Sequence, residues 1–304
     1  MPMDTPEAWC SGLRQRPRPI PHSSRSVPVS VLFVVRDEAD RLPAALASVD
    51  WADEVVVLDT GSVDGTPEIA ARHGARVHSA AWEGYVRSKN RALGLASHDW
   101  VLLLDADERV TPELRLEIET ALTASSGDVA GFVMPRLSWF MGRAIRHGTW
   151  YPDRILRLVR RSAHARWEGR RIHERCLIDG RVGALSSPLV HHPYRNLAHA
   201  LSKAGLYARL KAEDRLEVGR RASLATLLLR PAVEFLRFYV LKMGALDGVP
   251  GLIAAMLHAH SYFLTGALSY RVQGSLTAVQ NFRISSQDVR KASIAGASAS
   301  ATRA

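Results

Sequence analysis

Asp105 and Asp107 flank a single small residue, Ala106, directly after the apolar run Trp100–Leu104. Two carboxylates this close repel, and a cation beside them removes the penalty. Carboxylate oxygens are hard ligands that favour Mg²⁺ or Mn²⁺. An ion held by one or two of them leaves its other positions to water and substrate phosphate. The pair therefore suggests a metal-bound diphosphate, the plainer alternative being an acidic loop that caps the next helix. A second polar junction, Asp59-Thr60-Gly61-Ser62-Val63-Asp64-Gly65-Thr66, follows another apolar run. Its glycines and hydroxyls permit a tight turn near where a nucleotide base and ribose could lie, unless Asp59 only caps that turn. No Gly-x-Gly-x-x-Gly and no Gly-Lys-Ser/Thr occurs, so the phosphate cradles of dinucleotide enzymes and P-loop NTPases are missing.

These junctions need elements to hold them. Val29–Val35 is β-branched and nearly continuous, as a strand buried on both faces should be. Leu42, Leu46 and Val49 then recur at helical spacing behind a polar loop that offers capping carboxylates. Residues 54–58 read as a second strand ending on Asp59. Thr66-Pro67-Glu68 starts a helix that Gly74 stops, and residues 75–78 give a short third strand. A helix over 85–96 carries Lys89 and Asn90, and Trp100–Leu104 is the fourth strand. Thr111-Pro112-Glu113 opens a helix to about Leu122, and 129–134 supplies another strand. Such alternation predicts an α/β fold, a mostly parallel sheet with helices on both faces, whose ligands sit beyond the carboxyl ends of its strands. Arg36, Asp59, Asp105 and Asp107 all fall there.

The 304 residues include 40 Lys and Arg against 30 Asp and Glu, a formal charge of +10 that suits an anionic partner. Residues 136–181 hold twelve arginines, no lysine and four acids, which favours bidentate phosphate or carboxylate contacts over diffuse attraction. Hydrophobic residues at 47% indicate a globular chain, and two cysteines rule out a disulfide framework.

Ser30-Val-Leu-Phe-Val-Val-Arg-Asp-Glu38, Val55-Val-Val-Leu-Asp-Thr-Gly-Ser-Val-Asp-Gly-Thr66, Lys89-Asn90 and Leu104-Asp-Ala-Asp-Glu108, in that order, resemble the successive motifs of family 2 glycosyltransferases. Trp51-Ala-Asp-Glu54, Trp82-Glu-Gly84, Trp150-Tyr-Pro-Asp-Arg154 and His173-Glu174 are similar to the lipopolysaccharide-core β-glucosyltransferase group, with the likeness running over about residues 29–195. The resemblance implies a GT-A (Rossmann-like) fold, a nucleotide-diphosphate sugar donor such as a UDP-sugar, a divalent metal and inversion at the anomeric carbon. It places Val35 and Arg36 at the base and ribose, Asp59 on nucleobase or ribose, and Asp64, Lys89 and Asn90 near the nucleotide and its phosphates. Asp105 would hold ribose or metal and Asp107 the metal, with His173 a candidate third ligand. Inversion by direct displacement needs a base for the acceptor hydroxyl. Glu174 is chosen, and Asp153 competes unless it only pairs with Arg154 or Arg157. Arg166-Trp167 lacks the preceding Gln of processive members, which favours transfer of a single sugar.

Residues 1–28 lack an apolar run of signal-peptide length and, with the Ser- and Ala-rich residues 285–304, read as disordered. From 196 to 284 helical periodicity replaces strands, with Pro231 read as a helix start. Residues 249–270 contain no Asp, Glu, Lys or Arg across 22 positions, but Pro250, Gly251, Gly266, His258 and His260 argue against a span. A surface helix pair on an anionic cytoplasmic membrane face, helped by Arg220, Arg221 and Arg230, fits better, the alternatives being ordinary packing against the catalytic domain or a dimer contact. A phosphoaspartate phosphatase would want Thr or Val where Arg109 stands, and a nucleic-acid-binding module would leave the three aspartates without purpose and shows no recognised reading motif.

Overall fold

The computed structural model describes residues 27–125, 127–169 and 174–270. Apart from residues 27 and 28, the expected terminal extension and tail lie outside these, as does His173. The chain runs β1 (Val29–Val35), α1 (Leu42–Ala47), β2 (Glu54–Asp59), α2 (Thr66–Arg72), β3 (Arg76–Ser79), α3 (Tyr85–Leu95), β4 (Trp100–Leu104) and β5 (Glu108–Arg109). It continues through α4 (Pro112–Ala124), β6 (Val129–Phe140), β7 (Arg143–Ala144), β8 (Asp153–Arg160), β9 (Arg166–Glu168), β10 (Arg175–Leu177), β11 (Arg181–Ala184) and β12 (Leu189–His191). Three longer helices follow: α5 (Leu197–Glu217), α6 (Leu224–Leu236) and α7 (Gly248–Ser269).

The main sheet has the order β3-β2-β1-β4-β8-β6-β12-β5, with β7 and β11 also paired to β6. β3, β2, β1 and β4 are parallel. Side chains alternate across a strand, so Val29, Val31, Phe33 and Val35 pack on one face with Leu42, Leu46, Leu114 and Ile118 of α1 and α4. Leu32, Val56, Leu58, Leu103 and Val159 pack on the other with Ala92 and Leu93 of α3. Burying each large apolar side chain is worth about 1.5–3 kcal/mol. That explains why these runs are continuous rather than alternating.

The expected mostly parallel sheet is found, with β11 and β12 also parallel to β6, but it is mixed beyond that half. β8 is inserted antiparallel between β4 and β6, pairing Trp100 with Arg160 and Arg136 with Asp153. Arg154, Arg157 and Arg160 punctuate its apolar residues, which disguised a strand as a charged segment. Part of the arginine excess is used in ion pairs within the chain, buried for Arg157, half-buried for Arg136 and at the surface for Arg166 and Arg181. Arg136 and Arg157 pair with Asp153, Asp105 and Glu108, Arg166 with Glu168 and Asp179, and Arg181 with Asp128.

Every described helix or strand from Leu197 onward is helical, and α7 packs between α5 and α6. Pro231 is not a helix start: α6 begins at Leu224 with Ser223 accepting from the Thr226 amide. Pro231 lies inside it, and a π turn at Arg237–Leu241 follows. Among the described residues one helical stretch, Gly244–Ser269, is long and apolar enough to cross a membrane, with mean hydropathy 1.2.

The helices are joined to the sheet by a third apolar cluster containing Phe140, Ile145, Phe238, Ala254 and Ala255, with Trp150 and Tyr194 against it. Buried Asp247 accepts from the His147 amide and contacts its Nδ1, both at 2.9 Å, and the Gly148 amide donates to the Lys242 carbonyl at 2.8 Å. Gly148 has φ +77°, and the Phe238 ring occupies the space a β-carbon would need. Gly148→Ala should therefore combine left-handed backbone strain with overpacking and cost about 2–4 kcal/mol, read by urea denaturation.

Candidate active site

At the end of β4 the chain turns around a buried charge cluster. Arg157 of β8 lies with its Nη2 2.5 Å from Asp105 Oδ2 and 2.6 Å from Glu108 Oε1. Glu108 is fully buried and also accepts from the Asp105 amide at 3.0 Å, while its own amide donates to the Asp105 carbonyl. Arg136 bridges Glu108 at 3.3 Å and Asp153 at 2.6 Å. Burial alone would raise the Asp105 carboxyl, but Arg157 and Lys89 outweigh it and hold the group well below the usual carboxylate range. Asp105 is thus ionised and fixed in place.

Asp107 faces a different set. Its Oδ2 lies 3.3 Å from Arg41 Nη1, 3.6 Å from His191 Nε2 and 3.9 Å from Lys203 Nζ. Burial would raise this carboxyl too, but His191 first and then Lys203 pull it below its ordinary value. The His191 ring is oriented by a 3.1 Å contact between its Nδ1 and Ser138 Oγ. Metal bonds of about 2.1 Å each could join Asp107 Oδ2 and His191 Nε2 through one ion, so one hard oxygen and one imidazole fit a divalent cation. Among the described residues no group of three His, Cys, Asp or Glu side chains forms a complete cage. The remaining positions would fall to water and diphosphate oxygens.

α5 closes this side. His199 and Lys203 are one helical turn apart and share a face. His199 Nδ1 is 3.3 Å from Arg41 Nη2, and Lys203 meets Asp107. Tyr207, one further turn along, has its hydroxyl raised by burial and then by Tyr85, Glu174, Asp105 and Asp107. Burial, then Arg41 and Lys203, lowers His199 to about 4, so its ring is neutral at pH 7. Burial also pushes the Lys203 ammonium down.

Lys89 links Asp105 to Glu174, with Nζ 3.8 Å from the first and 3.4 Å from the second, and it sits 4.1 Å from the centre of the Trp167 ring. Asp105, Asp107, Lys89 and Glu174 therefore share one end of the sheet. Val35 pairs in register with Asp59, and β1 separates β2 from β4, so Asp59 and Asp105 end strands two spacings apart, about 10 Å. Asp59 accepts from the Gly61 and Ser62 amides and from Ser62 Oγ, the capping arrangement. Asp64 accepts from Thr66 and from the Ala39 amide at 3.0 Å, stitching the loop that carries Arg36 to the start of α2. Arg36 is itself 3.8 Å from Asp37.

Two expected residues point elsewhere. Asn90 uses both ends of its amide on the backbone of Trp167, at 2.9 and 2.7 Å, so it clamps β9 to α3. Asp153 pairs with Arg136 rather than with Arg154 or Arg157. His191, Arg41, His199 and Lys203 were not foreseen. The available signal for His191 was a histidine pair directly after the short apolar run Leu189-Val190.

Residues 30–170 match the family model described as Glycosyl transferase family 2. The chain is 30% identical over 251 residues, 81% of its length and 93% of the relative's, to the lipopolysaccharide core biosynthesis glycosyltransferase LpsC of Rhizobium meliloti (strain 1021). It is 26% identical over 252 residues, 78% and 87% of the two chains, to an uncharacterized glycosyltransferase of Rickettsia conorii. Among solved structures, glucosyl-3-phosphoglycerate synthase from Mycobacterium tuberculosis with Mn²⁺, UDP and glucosyl-3-phosphoglycerate matches at 23% identity and TM-score 0.32, over 38% of this chain and 45% of that one. The same enzyme with phosphoglyceric acid matches at 16% identity and TM-score 0.44, over 65% and 82%.

Glu38 offers a test of the site's electrostatics. Its Oε2 is 3.1 Å from Arg195 and 3.8 Å from Arg41, yet burial, with Asp107 and Asp40 adding, pushes its carboxyl from 4.5 up to about 7. The folded chain therefore holds this proton more tightly than the unfolded chain, and the associated stability is lost as pH rises from 4.5 to about 7. Glu38→Gln removes the titration. Thermal midpoints measured across that range should show the variant gaining steadily on the wild type, with a constant difference above it.

Proposed function

We infer the reaction from membership: the chain belongs to glycosyltransferase family 2, is a glycosyltransferase and has the GT-A fold of that family. We propose that it moves one hexose, glucose by the resemblance, from a UDP-sugar to a phosphorylated saccharide or lipid-linked acceptor of the lipopolysaccharide core, with inversion. The observation that carries this reading is the gathering of Asp105, Asp107, His191, Lys89, Lys203 and Glu174 at the carboxyl end of β4. The relative that works in lipopolysaccharide core biosynthesis supports the acceptor class.

In this reading Asp107 and His191 hold Mg²⁺ or Mn²⁺, and the oriented His191 ring takes the place first considered for His173. When bound, the ion supplies positive charge to the departing diphosphate. Lys203 and Arg41, which surround Asp107, add donors for phosphate oxygens on the same side. Asp105, fixed by Arg157, accepts from a ribose hydroxyl, and Val35, Arg36 and Asp59 border the base. Glu174 takes the proton from the acceptor hydroxyl as that oxygen attacks the anomeric carbon from the face opposite the diphosphate. One displacement of this kind inverts the centre without a covalent intermediate. Lys89 orients Glu174, whereas Asp153 is held by Arg136, which favours Glu174 as the base.

UDP with Mn²⁺ should raise the melting temperature of the wild type. Asp107→Ala and His191→Ala should each lose the Mn²⁺-dependent part of that rise, and a metal-independent rise of unchanged size in both would remove the proposed ion site. Glu174→Gln should keep the UDP-sugar shift while kcat falls about 100-fold or more. Normal turnover in that variant eliminates Glu174 as the base.

A further inference from the structure

α6 is apolar on its outward face as well as inward, where Leu227 meets Gly266 of α7 and Phe235 joins the third apolar cluster. Its outward face carries Leu224, Leu228, Leu229, Val233 and Leu236, each more than half exposed, at spacings of one, three and four residues that share one side of a helix. Its inward face carries Glu234, 3% exposed, which lies 3.6 Å from His258 of α7. A water-facing helix is polar on its outward side. Leu241, 76% exposed, in the turn after α6, and Val249, Leu252 and Met256 at the start of α7 are exposed as well. Exposed large apolar side chains gathered on one helix face mark an interaction site.

The charges around it select the partner. Between residues 218 and 270 the only acids are Glu234 and Asp247, and both are buried and bonded. The cations of that segment, Arg220, Arg221, Arg230, Arg237 and Lys242, are all exposed. An apolar face edged by five exposed cations, with Glu217 at the end of α5 the nearest exposed acid in the chain, complements an anionic lipid surface, whereas a second copy of the same face would bring like charges together. We infer that the outward face of α6, the Leu241 turn and the start of α7 lie in the headgroup layer of an anionic bilayer as a monotopic anchor, with Arg220 and Arg221 on lipid phosphates. The inference deepens the lipid-linked acceptor of the proposed function. Its test reads vesicle binding and not turnover, so either reading can fail without the other.

The experiment floats the purified full chain with vesicles of phosphatidylcholine alone or mixed with phosphatidylglycerol, at low and high salt. The wild type should float with the anionic vesicles, bind neutral ones more weakly, and release at high salt in proportion to the arginines involved. Leu229→Glu with Leu241→Glu, at exposed positions, should leave the melting temperature unchanged and abolish flotation. Arg220→Gln with Arg221→Gln should weaken anionic binding by about fivefold per arginine and leave neutral binding unaltered. Flotation of the glutamate variant at the wild-type level overturns the inference. So does a wild type that ignores vesicles and forms a dimer, by light scattering, that the glutamate variant dissolves. Retention of the chain in membranes through alkaline carbonate extraction would show a span instead and would overturn it too.

Discussion

The guanidinium of Arg157 sits in the interior between two carboxylates, Asp105 and Glu108, and the carboxyl end of β4 is arranged around it. A cation there is tolerable only because both partners are within 2.6 Å, and losing one would leave an uncompensated buried charge at a cost of about 3–5 kcal/mol. The geometry follows from that constraint. Arg157 comes from β8, so β8 must lie beside β4. Glu108 must fold back under Asp105, which shapes the turn after β4 and sends Asp107 to the other side, toward His191 and Lys203. The two aspartates are therefore neighbours in sequence with separate surroundings. Asp105 is committed to arginine and lysine within the protein, whereas Asp107 faces groups that a phosphate or a metal could replace.

The parts of the fold that could be read in the sequence are those where burial on both faces leaves a continuous apolar run. Val29–Val35 and Trp100–Leu104 needed no tertiary information, nor did the Thr111 cap of α4, which accepts from the Leu114 amide as its spacing implies. β8 was not legible because arginines interrupt its apolar run, two of them, Arg157 and Arg160, serving partners within the protein. Nothing in a sequence distinguishes an arginine that pairs with a buried glutamate from one that waits for a ligand. The same difficulty affects polar site residues. Lys89 and Asn90 are adjacent in a motif, yet one faces Asp105 and the other clamps Trp167, because neighbouring helical positions point about 100° apart. His191 was hidden because β12 has three residues and its pairing with β6 is long-range.

The helical region packs against the sheet through a specific set of contacts. Phe238 and Asp247 grip the loop at 147–150, and Trp150 in turn packs edge-on against Phe140 and near Tyr194. The outward apolar face of α6 and the inward contacts of the turn that follows it thus belong to one short segment. Its position against the sheet fixes how the carboxyl ends of the strands are presented to whatever surface that face meets.

The row of His199 and Lys203, with Tyr207 beyond, has a consequence for how such an enzyme can be inherited or rebuilt. Because α5 supplies part of the wall around Asp107, the sheet cannot be transplanted as a self-sufficient cartridge with the helices exchanged at will. Recombination between relatives that cuts between β12 and α5 would mate a carboxylate with a foreign lysine register. Viable chimeras must instead break beyond α5, which makes strands and first long helix a single heritable module.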